Sequence, residues 1–420
     1  MTQASLTREQ LEVLLEIRDP TTWDVPVAAW DEAVWDGDPP GNEWTDARAG
    51  YVDVTCDVRG FVIERGRQSN WDNLLAANLD LELDNSSGLY SIYASDAYPR
   101  IRPGFAIEIT AKWKGQRYPL FVGTVNQYTE GQTPGDYKVA LKCTDAFYGL
   151  AVDIGGQYNP GTPYQPVTER INGLLDRGRF DGPRHLVQGN ATMLNYATSR
   201  SVLDEIQLTA VSDGGVFFID TDGTAMFMGQ ERVNGRPRPD GAQVPSFSDD
   251  CVSGLPYAAI EPIIADHEFG NVVLVSNVSQ GTDSPTSAYA IDQDSVIANG
   301  EFPWSPDQLV LCNANYVQAL ADFQLSRRSQ AFYRINSFEC YPIHDDELWD
   351  ALLPLRIMDS LFITRTPPAS NIVHAPQICD GIRIEATPEM WKYVVRCSPG
   401  DKIDIANFWD FDYWDSGVWV

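Results

Sequence analysis

Residues Leu81–Val125 read LELDNSSGLYSIYASDAYPRIRPGFAIEITAKWKGQRYPLFVGTV. Ile107 and Ile109 alternate with Glu108 and Thr110, the period of two that a half-buried strand requires. Lys114-Gly115-Gln116 turns the chain into a second strand over Tyr118–Val125. Upstream, Asp84-Asn85-Ser86-Ser87-Gly88 carries turn chemistry, and Arg102-Pro103-Gly104 fixes a tight entry into the hairpin. No pair of groups in the stretch is arranged to do chemistry. It predicts a unit of a β-barrel or β-sandwich.

Composition sets the frame for that unit. With 420 residues and 43% hydrophobic content, the chain has room for two to four domains with sizeable cores. No run reaches the ~18 apolar residues needed to span a bilayer. The N-terminus shows no basic segment followed by an apolar core, so synthesis in a cytoplasm without membrane insertion is expected. Seven cysteines are scattered without a C-x-x-C pair, which predicts buried free thiols rather than a zinc or redox site. A net charge of −29 argues against affinity for nucleic acid phosphates. An acidic wall would instead let DNA slide past without being held, although simple solubility explains the same charge.

Along the chain, Leu6–Ile17 reads as a short amphipathic helix stopped by Pro20. From Thr21 to Ala49 the chain is acidic and carries the pairs Trp23-Asp24, Trp30-Asp31 and Trp35-Asp36. Strands are expected over Val52–Val58, Phe61–Glu64 and Tyr137–Cys143. Helices follow at Pro166–Leu175 and Ser201–Val211, the second capped by its serine. Val216–Ile219 and Thr224–Met228 flank Asp220-Thr221-Asp222-Gly223, a hairpin signal. Further strands read at Asn271–Val275, Ser287–Ile291, Leu361–Thr364, Gln377–Glu385 and Trp391–Cys397, with a helix at Asn315–Arg328. Asn407–Val420 closes the chain in the character of the N-terminal arm.

Candidate chemistry is sparse. Asp220–Gly223 lacks the glycine and carboxylate positions of a calcium loop, so a turn is favoured, and Asp292 and Asp294 are read the same way. His344-Asp345-Asp346-Glu347 gathers an imidazole and three carboxylates, yet acidic residues ahead of Leu348–Leu353 are what a helix start demands. The four histidines form no H-E-x-x-H, and neither a G-x-S-x-G nor a P-loop is present. A carboxylate-pair glycosidase is left open by the 59 acidic residues, with no positive signal for it. No catalytic, cofactor or metal residues are assigned. The Trp-Asp pairs recur too closely for a propeller. They point to aromatic packing between the chain ends or onto a neighbouring subunit, with Trp23, Trp30, Trp35, Trp44, Trp409, Trp414 and Trp419 as interface residues; stacking on glycan is the alternative.

The order of these turns and strands resembles a known family. Leu83–Gly88, Ile101–Gly104 with Ile107–Ile109, and Tyr118–Val125 are similar to the opening domain of minor tail proteins, the tail-tip or baseplate hubs of tailed phages of actinobacteria. Leu361–Arg365 and Asp380–Trp391 resemble their closing strands, and Leu203–Phe227 their helix-then-hairpin middle domain. The resemblance implies an α+β, mainly β fold in which two β-barrel-like hub domains flank a small mixed α/β domain; the Trp-rich terminal arms lie outside the part that matches. With the pass along the chain, the division expected is residues 1–49 as helix and arm, 50–155 and 246–400 as the two barrels, 156–245 as the mixed domain, and 401–420 as the tail. It further implies a non-enzymatic homotrimer at the virion's tail tip, adapting a sixfold tail tube to a threefold tip. Partners would be the distal tail or tube protein, the tape measure protein and other tip proteins, with DNA passing unbound and no cofactor. Phe121, Ile382 and Trp391 would be core residues. A wall-degrading hydrolase centred on His344–Glu347, or a glycan binder using the tryptophan arms, are the competing expectations.

Overall fold

The computed structural model describes residues 11–18, 51–67, 73–92, 101–133, 135–151, 164–194, 200–230, 244–250, 252–263, 269–277, 287–306, 309–329, 334–367 and 373–400. Seven strands open the chain: β1 (Leu11–Arg18), β2 (Tyr51–Asp53), β3 (Val58–Gly66), β4 (Leu75–Asp84), β5 (Ala106–Trp113), β6 (Gln116–Thr133) and β7 (Asp136–Thr144). The predicted hairpin is β5–β6, with Ile107 and Ile109 fully buried. Lys114 and Gly115 take φ of 49° and 81°, so both central residues of the turn lie in the left-handed region, as a two-residue hairpin favours. The flanking turns form as read: Gly88 N donates to Asn85 O at 2.9 Å, and Phe105 N to Arg102 O at 3.2 Å.

Two N-terminal expectations are corrected. Residues 11–17 of the expected helix are strand β1, paired with β5 along its whole length. Leu11, Val13, Leu15 and Ile17 are buried alternately, so the period is two; residues 6–10 lie outside the described residues. The need to cover the β5 edge outweighs local helix propensity. Val52–Val58 is also not one strand. A 3-10 turn at Thr55–Asp57 interrupts it, set by Thr55 N donating to Asp53 Oδ1 and Thr55 Oγ1 accepting from Leu15 N.

The middle of the chain supplies α1 (Phe147–Ala151), β8 (Tyr164–Pro166), α2 (Val167–Arg177), β9 (Arg184–Leu186), β10 (Thr192–Leu194), α3 (Val202–Ser212), β11 (Val216–Ile219) and β12 (Ala225–Met228). Ser201 caps α3 as predicted, accepting from Asp204 N at 3.1 Å. The remainder forms β13 (Ser246–Ser248), β14 (Leu255–Pro256), β15 (Ala259–Ile263), β16 (Val272–Ser276), β17 (Ser287–Ile291), α4 (Gln293–Asn299), β18 (Pro303–Trp304), α5 (Ala314–Arg328), β19 (Arg334–Cys340), α6 (Asp346–Leu352), β20 (Ser360–Arg365), β21 (Val373–Ala386) and β22 (Trp391–Pro399). Asp292 does not sit in a turn, as the sequence reading had it. It caps α4 by accepting from Ser295 N, and Gly300 at φ 89° ends that helix.

The fold is mainly β with a smaller helical part. The expectation of two β-barrels is corrected: among the described residues no barrel closes, and both β regions belong to one 14-stranded sheet. The cause is β21. It carries β22 on one edge; on the other it holds β20 against residues 373–378 and β3 against 381–386. One core accordingly draws Ile63, Leu81 and Phe121 from the first region and Phe338, Ile382 and Trp391 from the last. A second core gathers Ile171, Ile206, Phe217, Val273 and Leu320 around α2, α3 and α5. Phe121, Ile382 and Trp391 are buried as predicted. Cys143, Cys340, Cys379 and Cys397 are buried free thiols; Cys56 is exposed, Cys312 half-buried, and Cys251 outside the described residues. No helix among the described residues is long and apolar enough to cross a membrane.

Candidate assembly site

The residues of greatest consequence lie where the first and last β regions meet. At Cys379–Gly381 the ladder between β21 and β22 slips by one, leaving Asp380 outside it. The Asp380 carboxylate, 1% exposed, accepts from Arg67 Nε at 3.0 Å and from Nη2 at 2.8 Å, while Arg67 N donates to the Asp380 carbonyl. Gly66 makes this approach possible. Its φ is 96°, and a Cβ there would lie 2.1 Å from Asp380 O.

Helix α6 packs against the same two β regions. Trp349 contacts Trp391 of β22 at 5.2 Å and Trp113 at the end of β5 at 6.1 Å, and Trp391 meets Phe61 of β3 at 5.6 Å. Asp350, next along α6, accepts from Trp113 Nε1 and Lys114 Nζ, each at 2.7 Å. The tip of the hairpin that decides the fold is therefore latched to a helix more than two hundred residues away in sequence. The His344–Glu347 cluster starts that helix, as expected: Asp345 accepts from Glu347 N and Leu348 N. The Asp345 carboxylate is spent on backbone groups, while Asp346 and Glu347 are exposed in the first turn. Among the described residues no group of three or more His, Cys, Asp or Glu is placed to hold a metal ion.

A third contact brings in the mixed region. Asp220, read only as a turn residue, accepts from Arg356 Nη1 at 3.3 Å, and Thr221 Oγ1 accepts from the same nitrogen. Between these layers sits Arg65, 4% exposed, whose Nη2 donates to Leu120 O. Burial lowers its pKa to about 10 against the opposing pull of Asp220 and Asp145. Asp145 accepts from Ala77 N and Phe147 N, and burial pushes its carboxyl up to about 7. No sequence signal separated Arg65, Arg67, Asp145, Arg356 or Asp380 from the other charged residues, because the pairings span up to 313 positions.

The outer face of the sheet has its own pattern. Arg59 pairs with Asp84, Asp136 and Glu82; Lys138 with Glu82; Arg383 and Arg396 with Glu64; and Lys392 with Glu339. These cations lie opposite carboxylates, so the face presents compensated charge. Trp23, Trp30, Trp35, Trp44, Trp409, Trp414 and Trp419 lie outside the described residues. What the structure gives is the root of their N-terminal segment: Arg18 and Tyr51 are register partners of β1 and β2.

No protein-family model matches the sequence, and no curated protein matches it either. Solved structures do. A tail protein from Neisseria meningitidis superposes with a TM-score of 0.57 at 13% identity, over 83% of this chain and 93% of that one. The 43 kDa tail protein of prophage MuSo2 from Shewanella oneidensis gives 0.52 at 12% identity, over 84% and 97%. The chain has the fold of these tail proteins. Each likeness runs through nearly the whole of the other chain, so the β regions and the mixed region are shared together and not as one isolated domain.

Proposed function

We propose that this chain is a structural, non-enzymatic subunit of a phage tail, placed at the tail tip as a hub. In that reading it forms a homotrimer, adapts a sixfold tube to a threefold tip, and lines part of the conduit for the tape measure protein and then DNA. The division into residues 50–155, 156–245 and 246–400, with β1 added to the first and arms at 19–49 and 401–420, belongs to the same proposal, as does an actinobacterial host. The observation that carries it is the likeness, over more than four fifths of this chain, to two tail proteins, one of them from a prophage. Physical chemistry supports it in two ways. The described interior joins the β regions, and the His344–Glu347 cluster starts a helix through the Asp345 cap. The sheet face offers phosphates little unmatched positive charge, and phosphate binding depends on such charge. The tryptophans of the arms act by packing within the particle.

The test is an amber mutation in the gene of the phage that encodes the chain, followed by imaging of the particles. The expected result is absent or tipless tails, with density for three copies at the tip of wild-type tails. Complete tails lacking the protein would overturn the proposal.

A further inference from the structure

Cys379 of β21 and Cys397 of β22 are register partners in an antiparallel ladder, and both are buried in the core that joins the two β regions. Partners in a ladder present their side chains on the same face of the sheet. The backbone fixes the kind of rung. Cys379 N donates to Asp359 O at 2.9 Å, and the Cys379 carbonyl accepts from Met358 N at 2.8 Å. Both groups are committed to the side away from β22, so the rung is of the non-hydrogen-bonded kind. Such rungs bring Cα atoms to about 4.5 Å. A disulfide spans Cα separations of about 4.4–6.8 Å, so the bond fits with the strands in their present register. Among the described residues no other rung holds two cysteines: Cys143 faces Leu79 and Val125, and Cys340 faces Tyr393.

We propose that Cys379 and Cys397 form a redox pair, thiols under reducing conditions and a cross-strand disulfide under oxidising ones, which locks the end of β22 onto β21. The rung stands immediately before the slip at Asp380, so the bond holds the strand end beside the Arg67–Asp380 pair. The pairing depends on the ladder alone and not on a role in a tail.

While the ladder is closed the pair is protected. Burial first, and the neighbouring Cys397 thiol after it, push the Cys379 thiol up, and the protonated thiol does not attack. Access comes from the strand end. The pairing of β19 with β22 stops at Ser337 and Arg396, so beyond Arg396 only β21 holds β22 among the described strands. That end opens first. The oxidant is a small-molecule disulfide. The Cys397 thiolate attacks one of its sulfurs, forming a mixed disulfide and releasing one small thiolate. Cys379 then attacks the Cys397 sulfur, the bond between the strands forms, and the second small thiolate leaves. Two protein thiols are oxidised, one small disulfide is reduced to two thiols, and the two cysteine protons end on those thiols.

The experiment purifies the full chain with dithiothreitol, removes the reductant, and holds the folded protein with oxidised glutathione. Remaining thiols are blocked with iodoacetamide in denaturant before tryptic digestion without reductant. The expected product joins peptide 366–383 to peptide 397–402, two hydrogens lighter than their sum, and disappears on reduction. Cys340→Ala leaves its yield unchanged, and Cys397→Ala abolishes it. Oxidation should raise the melting temperature of the native chain by about 3 °C and leave that of Cys397→Ala where it was. Circular dichroism checks that both variants fold, and the product from the native chain decides the question if either does not. Iodoacetamide on both residues, either cysteine joined only to glutathione or to a different cysteine, or a bond without the rise in melting temperature would each overturn the proposal.

Discussion

Arg67 and Asp380, 313 residues apart, meet as a buried ion pair in which Asp380 Oδ1 takes both Nε and Nη2 of the guanidinium. The pair sits where β21 changes neighbour from β20 to β3, so it fastens the first β region to the last. Removing one partner strands a buried charge. Asp380→Ala should destabilise the chain by about 3–5 kcal/mol, whereas Arg67→Met with Asp380→Leu should recover most of that loss. Urea denaturation of the three proteins checks it; equal losses for single and double variants would show that the pair is not the fastening.

Gly66 allows the same junction to close. Gly66→Ala meets both a positive φ and a Cβ 2.1 Å from Asp380 O. A loss of about 3 kcal/mol or more, or failure to fold, is expected. Gly88→Ala is the control: its φ is 72° with nothing within 4 Å of the added Cβ, so only the conformational cost of about 1 kcal/mol applies.

Helix α6 separates packing from pairing at two adjacent residues. Trp349→Ala removes rings from Trp391, Trp113 and Tyr393 and should cost about 3–5 kcal/mol. Asp350→Asn loses a half-exposed ion pair with Lys114 and should cost below about 1 kcal/mol. Chemical denaturation that ranks them in reverse would show that the Trp349 ring packing is not what holds α6 to the sheet.

Asp145 makes stability depend on pH. An aspartate titrates near about 3.9 in an unfolded chain, and Asp145 titrates at about 7 when folded. Between those values the folded state holds a proton that the unfolded state has released. The stabilisation from this group is full below about pH 4 and is lost as pH rises through about 7, a change of order 4 kcal/mol. Melting temperature should thus fall from pH 5 to pH 8 more steeply in the native chain than in Asp145→Asn. Parallel slopes would remove Asp145 as the cause.

The sequence exposed those parts of the fold whose cause is local. The β5–β6 turn, the Ser201 cap and the Asp345 cap each depend on residues within a few positions of one another. Strand β1 was misread because Val13-Leu14-Leu15 blurs the alternation, and only the β5 edge decides the period. Helix α4 was missed although Asp292 and Gly300 stand at its two ends, since its seven residues bury only Ser295 and show no apolar stripe. The merger of the β regions had no local sign at all. It depends on the length of β21 and on a one-residue slip at Asp380, neither of which an alternating pattern records.

Arg18 and Tyr51 are register partners across β1 and β2, so the two ends of the 32-residue segment 19–50 are anchored at one rung of the ladder. A segment anchored in this way can be exchanged as a cassette: recombination at this junction can replace it while β1 and β2 keep their register. Scaffold and arm are free to evolve at different rates.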